Sequence, residues 1–167
     1  MKKIFKCISW VLLVAIIVIQ FFHPAKNIAA APSGYHISKA YPVPEDVQQI
    51  LVKTCYDCHS NTTRYPWYNN IQPVAWWLHN HIKEGKRHLN FDEFTTYRIA
   101  RQYKTLDECI DEVKGGDMPL GSYTLIHKDA IITDNEKQVF FTWCNTVRDS
   151  IKSAYPADSL VMPKRKS

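Results

Sequence analysis

The stretch VQQILVKTCYDCHS, Val47–Ser60, joins a helical pattern to a short cysteine–histidine motif. Glu45 and Asp46 directly follow Pro44, and acidic residues at this position favour the start of a helix. One face then repeats at helical spacing into the motif, through Val47, Ile50, Leu51 and Thr54. The sequence therefore predicts that CYDCH lies at or just after the end of a helix.

Further helical patterns follow the motif, and no segment alternates convincingly with a period of two. One apolar face predicts a helix that ends near Gly85, and it consists of Val74, Trp77, Leu78, His81 and Ile82. Three pairs of a side-chain acceptor and a glutamate predict helix N-termini, at Asn90/Glu93, Thr105/Glu108 and Thr133/Glu136. We therefore expect an all-α fold of four or five short helices with long loops.

The N-terminus predicts a transmembrane helix. Three lysines within MKKIFK precede an uncharged run from Cys7 to Phe22. A helix over residues 4–22 would be about 28 Å long, close to the hydrocarbon core of about 30 Å. The lysines then predict a single pass through the cytoplasmic membrane, with the rest of the chain on the periplasmic side. The alternative is a signal peptide cleaved near residues 29–31, which leaves a soluble periplasmic protein.

The spacing of Cys55, Cys58 and His59 could serve zinc, a redox dithiol or a c-type haem. Structural zinc sites usually take their ligands in two pairs, whereas Cys109 and Cys144 are isolated. A thioredoxin-like dithiol belongs to a βαβ context, which a helical chain lacks, while C-x-x-C-H is the attachment pattern of c-type haem. We therefore predict one covalent haem c per chain, held by both thiols, with the histidine on the iron.

The loop GGDMPL, residues 115–120, contains the candidate for the second iron ligand. Met118 follows two glycines that can end a helix and precedes a proline, so its thioether is expected outside regular structure. The alternative is that it fills the core. His127 is a rival ligand that we do not favour. Three aromatic residues are further candidates for haem contact or for ordinary packing, namely Trp67, Tyr68 and Trp77.

Two segments resemble a known family, CYDCHSNTTRYPWYNNIQPVAWWLHNHIKEGKRHLNF and MPLGSYTLIHKDAIIT. They are similar to a small bacterial haem-binding domain family, related to class I cytochrome c and found behind an N-terminal membrane helix. The resemblance covers about residues 44–150. It implies a single small cytochrome c-like domain with covalent haem on Cys55 and Cys58, His59 as the proximal ligand and Met118 as the distal ligand.

These interpretations divide the chain into four parts. They are a signal anchor at 1–22, a tether at 23–43, the haem-binding domain at 44–152 and a disordered basic tail at 153–167. Cys109 and Cys144 are either a disulfide or two buried thiols. The net charge of +5 is modest and no basic, aromatic face is evident, so we expect no nucleic-acid partner.

Methionine–histidine ligation is typical of haem proteins with a relatively high potential. We therefore expect a membrane-tethered electron carrier that is not an enzyme and that serves a redox partner protein, which the sequence does not identify. One alternative is a haem-based sensor or small-ligand binder in which Met118 leaves the iron. Another is a peroxidase-like enzyme with an open distal site and a base such as His127 or His81.

Overall fold

The computed structural model describes residues 1–163, and within this range every regular element is helical. The seven α-helices in it are α1 Lys2–Ile19, α2 Glu45–Thr54, α3 Tyr56–His59, α4 Val74–His88, α5 Ile99–Gly115, α6 Gly121–Thr124 and α7 Asp134–Ala154. Short 3-10 helices lie at Ile37–Lys39, Trp67–Asn70, Phe91–Thr96, Lys128–Ala130 and Ala157–Leu160. The domain is thus all-helical, with more elements than the four or five expected.

The predicted transmembrane helix is wrong. Helix α1 ends at Ile19, so Phe21 and Phe22 lie beyond it, and three of its 18 residues are lysines. Its uncharged part from Cys7 onward is about 20 Å long at about 1.5 Å per residue, against a hydrocarbon core of about 30 Å. Among residues 1–163, no helix has both the length and the apolar character that a membrane span requires.

The segment predicted as a tether, residues 23–43, packs against the helical domain. Ile37 is fully buried in the main core. The indole N–H of Trp143 donates to the carbonyl oxygen of Pro42 at 2.9 Å. Further along, the predicted tail contributes Leu160, which packs against the same core. Residues 164–167 of that tail lie outside the described residues.

Two apolar clusters organise the domain. The main core joins α2, α5 and α7 with the segment after α4, and its most buried large side chains include Leu51, Phe91, Phe94, Leu106 and Ile151. A smaller cluster of Tyr68, Leu78 and Ile82 lies against α4. Cys55 packs against the main core, whereas Cys58 packs against the smaller cluster. Helix α3 therefore occupies the boundary between the two clusters.

The predicted helix starts had different outcomes. Thr133 and Glu136 form the expected capping box at the start of α7. Asn90 caps a 3-10 helix through the amide of Asp92 rather than a capping box with Glu93. The start at Thr105 is wrong, because α5 begins at Ile99 and Thr105 is buried within it. The apolar stripe of α5 already begins at Ala100, so packing extends the helix past the local capping signal.

Candidate haem site

One tight turn brings the motif's three functional side chains together. Helix α2 ends at Thr54, Cys55 is its C-terminal cap, and α3 carries the other two residues. The backbone N–H groups of Cys58 and His59 both donate to the carbonyl oxygen of Cys55, at 3.1 and 2.9 Å. The predicted position of the motif, directly after the end of a helix, is confirmed.

The imidazole of His59 is oriented by one backbone carbonyl. Its Nδ1 lies 2.9 Å from the carbonyl oxygen of Leu89, which can only accept, so Nδ1 carries the proton. Burial lowers the pKa of His59, opposed by the carbonyl groups of Leu89 and Gly85, so the ring is neutral at pH 7. Nε2 makes no hydrogen bond within residues 1–163, and its lone pair is available. Iron-ligating histidines are held in this way.

Gly85 lets α4 approach the motif closely. A Cβ atom at this position would lie 2.9 Å from the carbonyl oxygen of Cys58 and 3.3 Å from its Cβ. The N–H of Leu89 donates to the carbonyl oxygen of Gly85 at 2.9 Å. The end of α4 thus sets the orientation of His59. Sequence reasoning treated Gly85 only as a helix terminator and missed this role, although a glycine inside a helical pattern is itself a signal for close packing.

Cys55 and Cys58 are free thiols. Burial, the largest cause in both cases, raises the pKa of each to about 11, so both are protonated at neutral pH. Among the described residues, no three or more His, Cys, Asp or Glu side chains gather as a metal site. The structure therefore supplies no second pair of ligands for the zinc alternative.

Met118 follows the end of α5. Gly116 has a φ of 84°, in the left-handed region that favours glycine, and it ends the helix as the sequence predicts. The N–H groups of Asp117 and Met118 then donate to the carbonyl oxygen of Glu112, at 3.0 and 3.1 Å. The Met118 side chain is half-buried and packs at the edge of the main core, as Cys55 does. Iron ligation by Met118 stays a prediction.

The three candidate aromatic residues differ in their surroundings. Tyr68 is buried in the smaller cluster with Cys58, and its hydroxyl lies 2.8 Å from Nε2 of His127. Trp67 is 73% exposed and Trp77 is 43% exposed. Tyr68 is therefore the one that the fold places beside a motif cysteine, while haem contact by the two tryptophans stays a prediction.

A polar network also reaches the motif, and sequence reasoning missed it. The carboxylate of Asp57, between the two cysteines, accepts from Arg64 and from the hydroxyl of Tyr123. The ring of Tyr123 stacks on His127. No spacing rule connects residues 57 and 123, so no sequence signal was available for this contact.

The remaining pair, Cys109 and Cys144, consists of free thiols. Both pack in the main core, and Cys144 is fully buried. Burial raises the pKa of each well above the ordinary value. The structure thus has two free thiols packed in the main core, one buried and one partly buried, rather than the disulfide.

An all-helical domain that presents two thiols beside a neutral histidine has the features of a haem-binding domain. A family model described as a haem-binding domain matches residues 14–146. Because the match covers most of the chain, the protein belongs to this haem-binding domain family and haem is its cofactor. The match begins within α1 and includes the whole predicted tether. Comparison with curated proteins gives no match, and comparison with solved structures gives none.

The residues around the motif fit a haem. Nε2 of His59 is free, because the Leu89 carbonyl orients the ring through Nδ1. Cys55 and Cys58 provide protonated thiols on the same turn. The two thiols face different apolar clusters, so apolar side chains flank the motif on both sides. Apolar surroundings suit a porphyrin, which is itself largely apolar, and they help to set its potential.

Proposed function

We propose that this protein carries haem c, attached through thioether bonds from Cys55 and Cys58, and that it transfers single electrons. The observation that carries the proposal is the turn at residues 55–59. It places two free thiols beside a histidine whose Nδ1 is already committed to Leu89. A haem bound without covalent bonds would need only the histidine as a ligand to its iron. The paired thiols therefore favour covalent attachment.

His59 Nε2 and the thioether of Met118 are the side-chain atoms that would bind the iron in this proposal. Bound haem supplies a one-electron iron couple, and this ligand pair favours a relatively high potential. The Leu89 carbonyl keeps the imidazole in one orientation, so little rearrangement accompanies electron transfer. Gly116 and the Glu112 carbonyl fix the chain immediately before Met118.

The carrier role requires neither a substrate pocket nor an acid–base pair, and we propose that the protein is not an enzyme. Of the two bases considered for a peroxidase-like alternative, His127 is hydrogen-bonded through Nε2 to the Tyr68 hydroxyl, and His81 is hydrogen-bonded through Nδ1 to the carbonyl oxygen of Trp77. We place the domain outside the cytoplasm, on the periplasmic side, where c-type haem is attached. A redox partner protein of unknown identity delivers and accepts the electron.

A denaturing gel with haem staining tests the covalent attachment. The chain is produced in cells that attach c-type haem, as wild type and as the Cys55→Ala/Cys58→Ala variant. Stain should migrate with the wild-type polypeptide and be absent from the variant. Cys7→Ala is the matched control, because Cys7 is an exposed thiol on α1 that does not belong to the motif, and it should stain like the wild type. Wild-type stain that runs with the dye front would refute covalent attachment.

Carbon monoxide separates the carrier from the alternatives. The reduced spectrum of the wild-type carrier should show no prompt change on adding carbon monoxide, since Met118 would have to leave the iron first. A prompt spectral change on adding the gas would instead favour the sensor or small-ligand binder, in which the sixth position is open or easily opened.

A further inference from the structure

We propose that the hydrogen bond between Tyr123 and Asp57 is a latch that holds the loop bearing Met118 against the haem-attachment turn. Both are positioning residues for the distal iron ligand. The inference rests on the proposed function, because it takes Met118 as that ligand. It goes further, because Asp57 and Tyr123 have no assigned role in the haem-attachment motif or in iron binding by Met118.

Asp57 is the fixed end of the latch. It lies between the two haem-binding cysteines, and its side chain is only 13% exposed. One carboxylate oxygen, Oδ2, accepts from the Tyr123 hydroxyl at 2.7 Å and from Nη2 of Arg64 at 3.2 Å. The other, Oδ1, accepts from Nε and from the backbone N–H of Arg64, each at 3.1 Å. Arg64 thus holds the carboxylate in place independently of Tyr123.

Tyr123 is the end of the latch that belongs to the loop. It belongs to the four-residue helix α6 and follows Met118 by five positions. Burial, and then the hydrogen bond to Asp57, raises the pKa of Tyr123, so the phenol remains the donor. A hydrogen bond from a neutral donor to a carboxylate is stronger than one between neutral groups.

A second contact, made by His127, holds the same loop. The ring of His127 stacks on Tyr123, with centroids 4.3 Å apart and planes inclined by 18°. Nε2 of His127 lies 2.8 Å from the hydroxyl of Tyr68, in the smaller apolar cluster. The segment from Met118 to His127 is therefore bound to the haem-attachment turn through Tyr123 and to the smaller cluster through His127.

The two contacts predict that Tyr123→Phe loosens the attachment of the loop without unfolding the domain. The ring and its stacking on His127 are retained, and Asp57 keeps Arg64, so the domain stays folded. Only the bond that ties the loop to the attachment turn is lost. The population in which Met118 is off the iron should then rise about tenfold, the factor that a hydrogen bond to a charged group commonly provides.

The experiment uses the haem-loaded full chain and two measurements. The first is the rate at which the reduced protein binds carbon monoxide, which reports how often Met118 leaves the iron. The second is amide hydrogen exchange in residues 120–127, which reports loop opening without reference to haem. Tyr103→Phe is the matched control, because Tyr103 is half-buried, packs on Arg148 and makes no side-chain hydrogen bond within residues 1–163.

Tyr123→Phe should raise both rates about tenfold, while Tyr103→Phe leaves both unchanged and both variants remain folded at the temperature of the measurements. Unchanged exchange in Tyr123→Phe overturns the latch. Faster exchange with unchanged carbon monoxide binding overturns the positioning role and leaves only a structural contact. Failure of the proposed function is seen separately, because a wild-type protein without covalent haem fails the gel test whatever the exchange rates are.

Discussion

Gly85→Ala should weaken the haem site through packing alone, because it changes neither a charge nor a hydrogen-bonding group. Gly85 lies in α4, where alanine would ordinarily stabilise a helix by about 0.5–1 kcal/mol relative to glycine. The structure reverses this expectation. The added Cβ would meet the backbone carbonyl oxygen of Cys58 at 2.9 Å, and that oxygen cannot rotate away as a side chain could.

The displacement follows from the contact distance. Ordinary van der Waals contact for a Cβ atom begins at 3.4 Å, so helix and turn must separate by about 0.5 Å. If α4 carries that shift, the hydrogen bond from His59 to Leu89 lengthens from 2.9 Å to about 3.4 Å, outside the normal range. Overpacking commonly costs about 1–3 kcal/mol. After the gain in helix propensity, we expect a net loss of about 1 kcal/mol in the free energy of unfolding.

Urea unfolding of wild type and variant measures this loss as a lower midpoint with an unchanged slope. Gly121→Ala is the matched control, since Gly121 is also helical and has no atom within 4 Å of its added Cβ. It should be neutral or slightly stabilising. In the haem-loaded protein, Gly85→Ala should also raise the reduction potential. The weaker Leu89 contact makes the imidazole a poorer donor, and ferric iron loses more than ferrous iron.

A Gly85→Ala variant at least as stable as the wild type, with an unchanged potential, would refute the reasoning. It would mean that α4 can yield without disturbing His59, and that the close approach of α4 does not determine the geometry of the site.

Three further predictions concern other parts of the molecule. In the haem-loaded protein, Met118→Ala should let the reduced iron bind carbon monoxide much faster than the wild type does; if both proteins behave alike, Met118 is a packing residue. Asn27→Ala should lower the free energy of unfolding in urea by about 1–3 kcal/mol, because the Asn27 side chain donates hydrogen bonds to the loop after the motif and accepts one from Lys86 of α4. Asn80→Ala, on the exposed face of α4, is the control and should cause no loss. Lys53→Met should destabilise the protein at neutral pH, because a hydrogen bond from Lys53 is the main cause that lowers the pKa of Glu136. A carboxyl whose pKa is lowered by folding stabilises above its ordinary value of about 4.3 and loses that contribution as the pH falls through the lowered pKa. The difference between Lys53→Met and wild type should therefore shrink in acid titrations of stability, and a difference independent of pH would contradict the assignment.

Local patterns in the sequence determined a large part of this protein. The apolar face of α2 and the residues after it placed the motif at a helix end, and Thr133 with Glu136 marked the start of α7. The spacing of Cys55, Cys58 and His59 identified haem as the cofactor, which the family match supports. These features depend on residues within one or two helical turns of each other, and the repeat of the helix makes such relations visible in one dimension.

Tertiary structure decided the features that depend on distant residues. The apolar run beyond Ile19 suggested a longer helix, yet Gln20 is held by Gln72 and Phe22 lies outside α1. The proline-rich segment suggested a free tether, yet Ile37 is buried in the main core. A weak local preference gives way when the chain can bury apolar surface or satisfy polar groups elsewhere.

The orientation of His59 shows most clearly which features follow from the sequence and which from the tertiary structure. The motif alone identifies His59, but the carbonyl that fixes its ring is 30 residues away, at the end of α4. The approach of that helix depends on the missing side chain of Gly85. Similarly, Asp57 and Tyr123 are 66 residues apart and meet only in the folded chain. Spacing along a sequence indicates chemistry that neighbouring residues perform together. Orientation, desolvation and close approach depend instead on elements that only folding brings into contact.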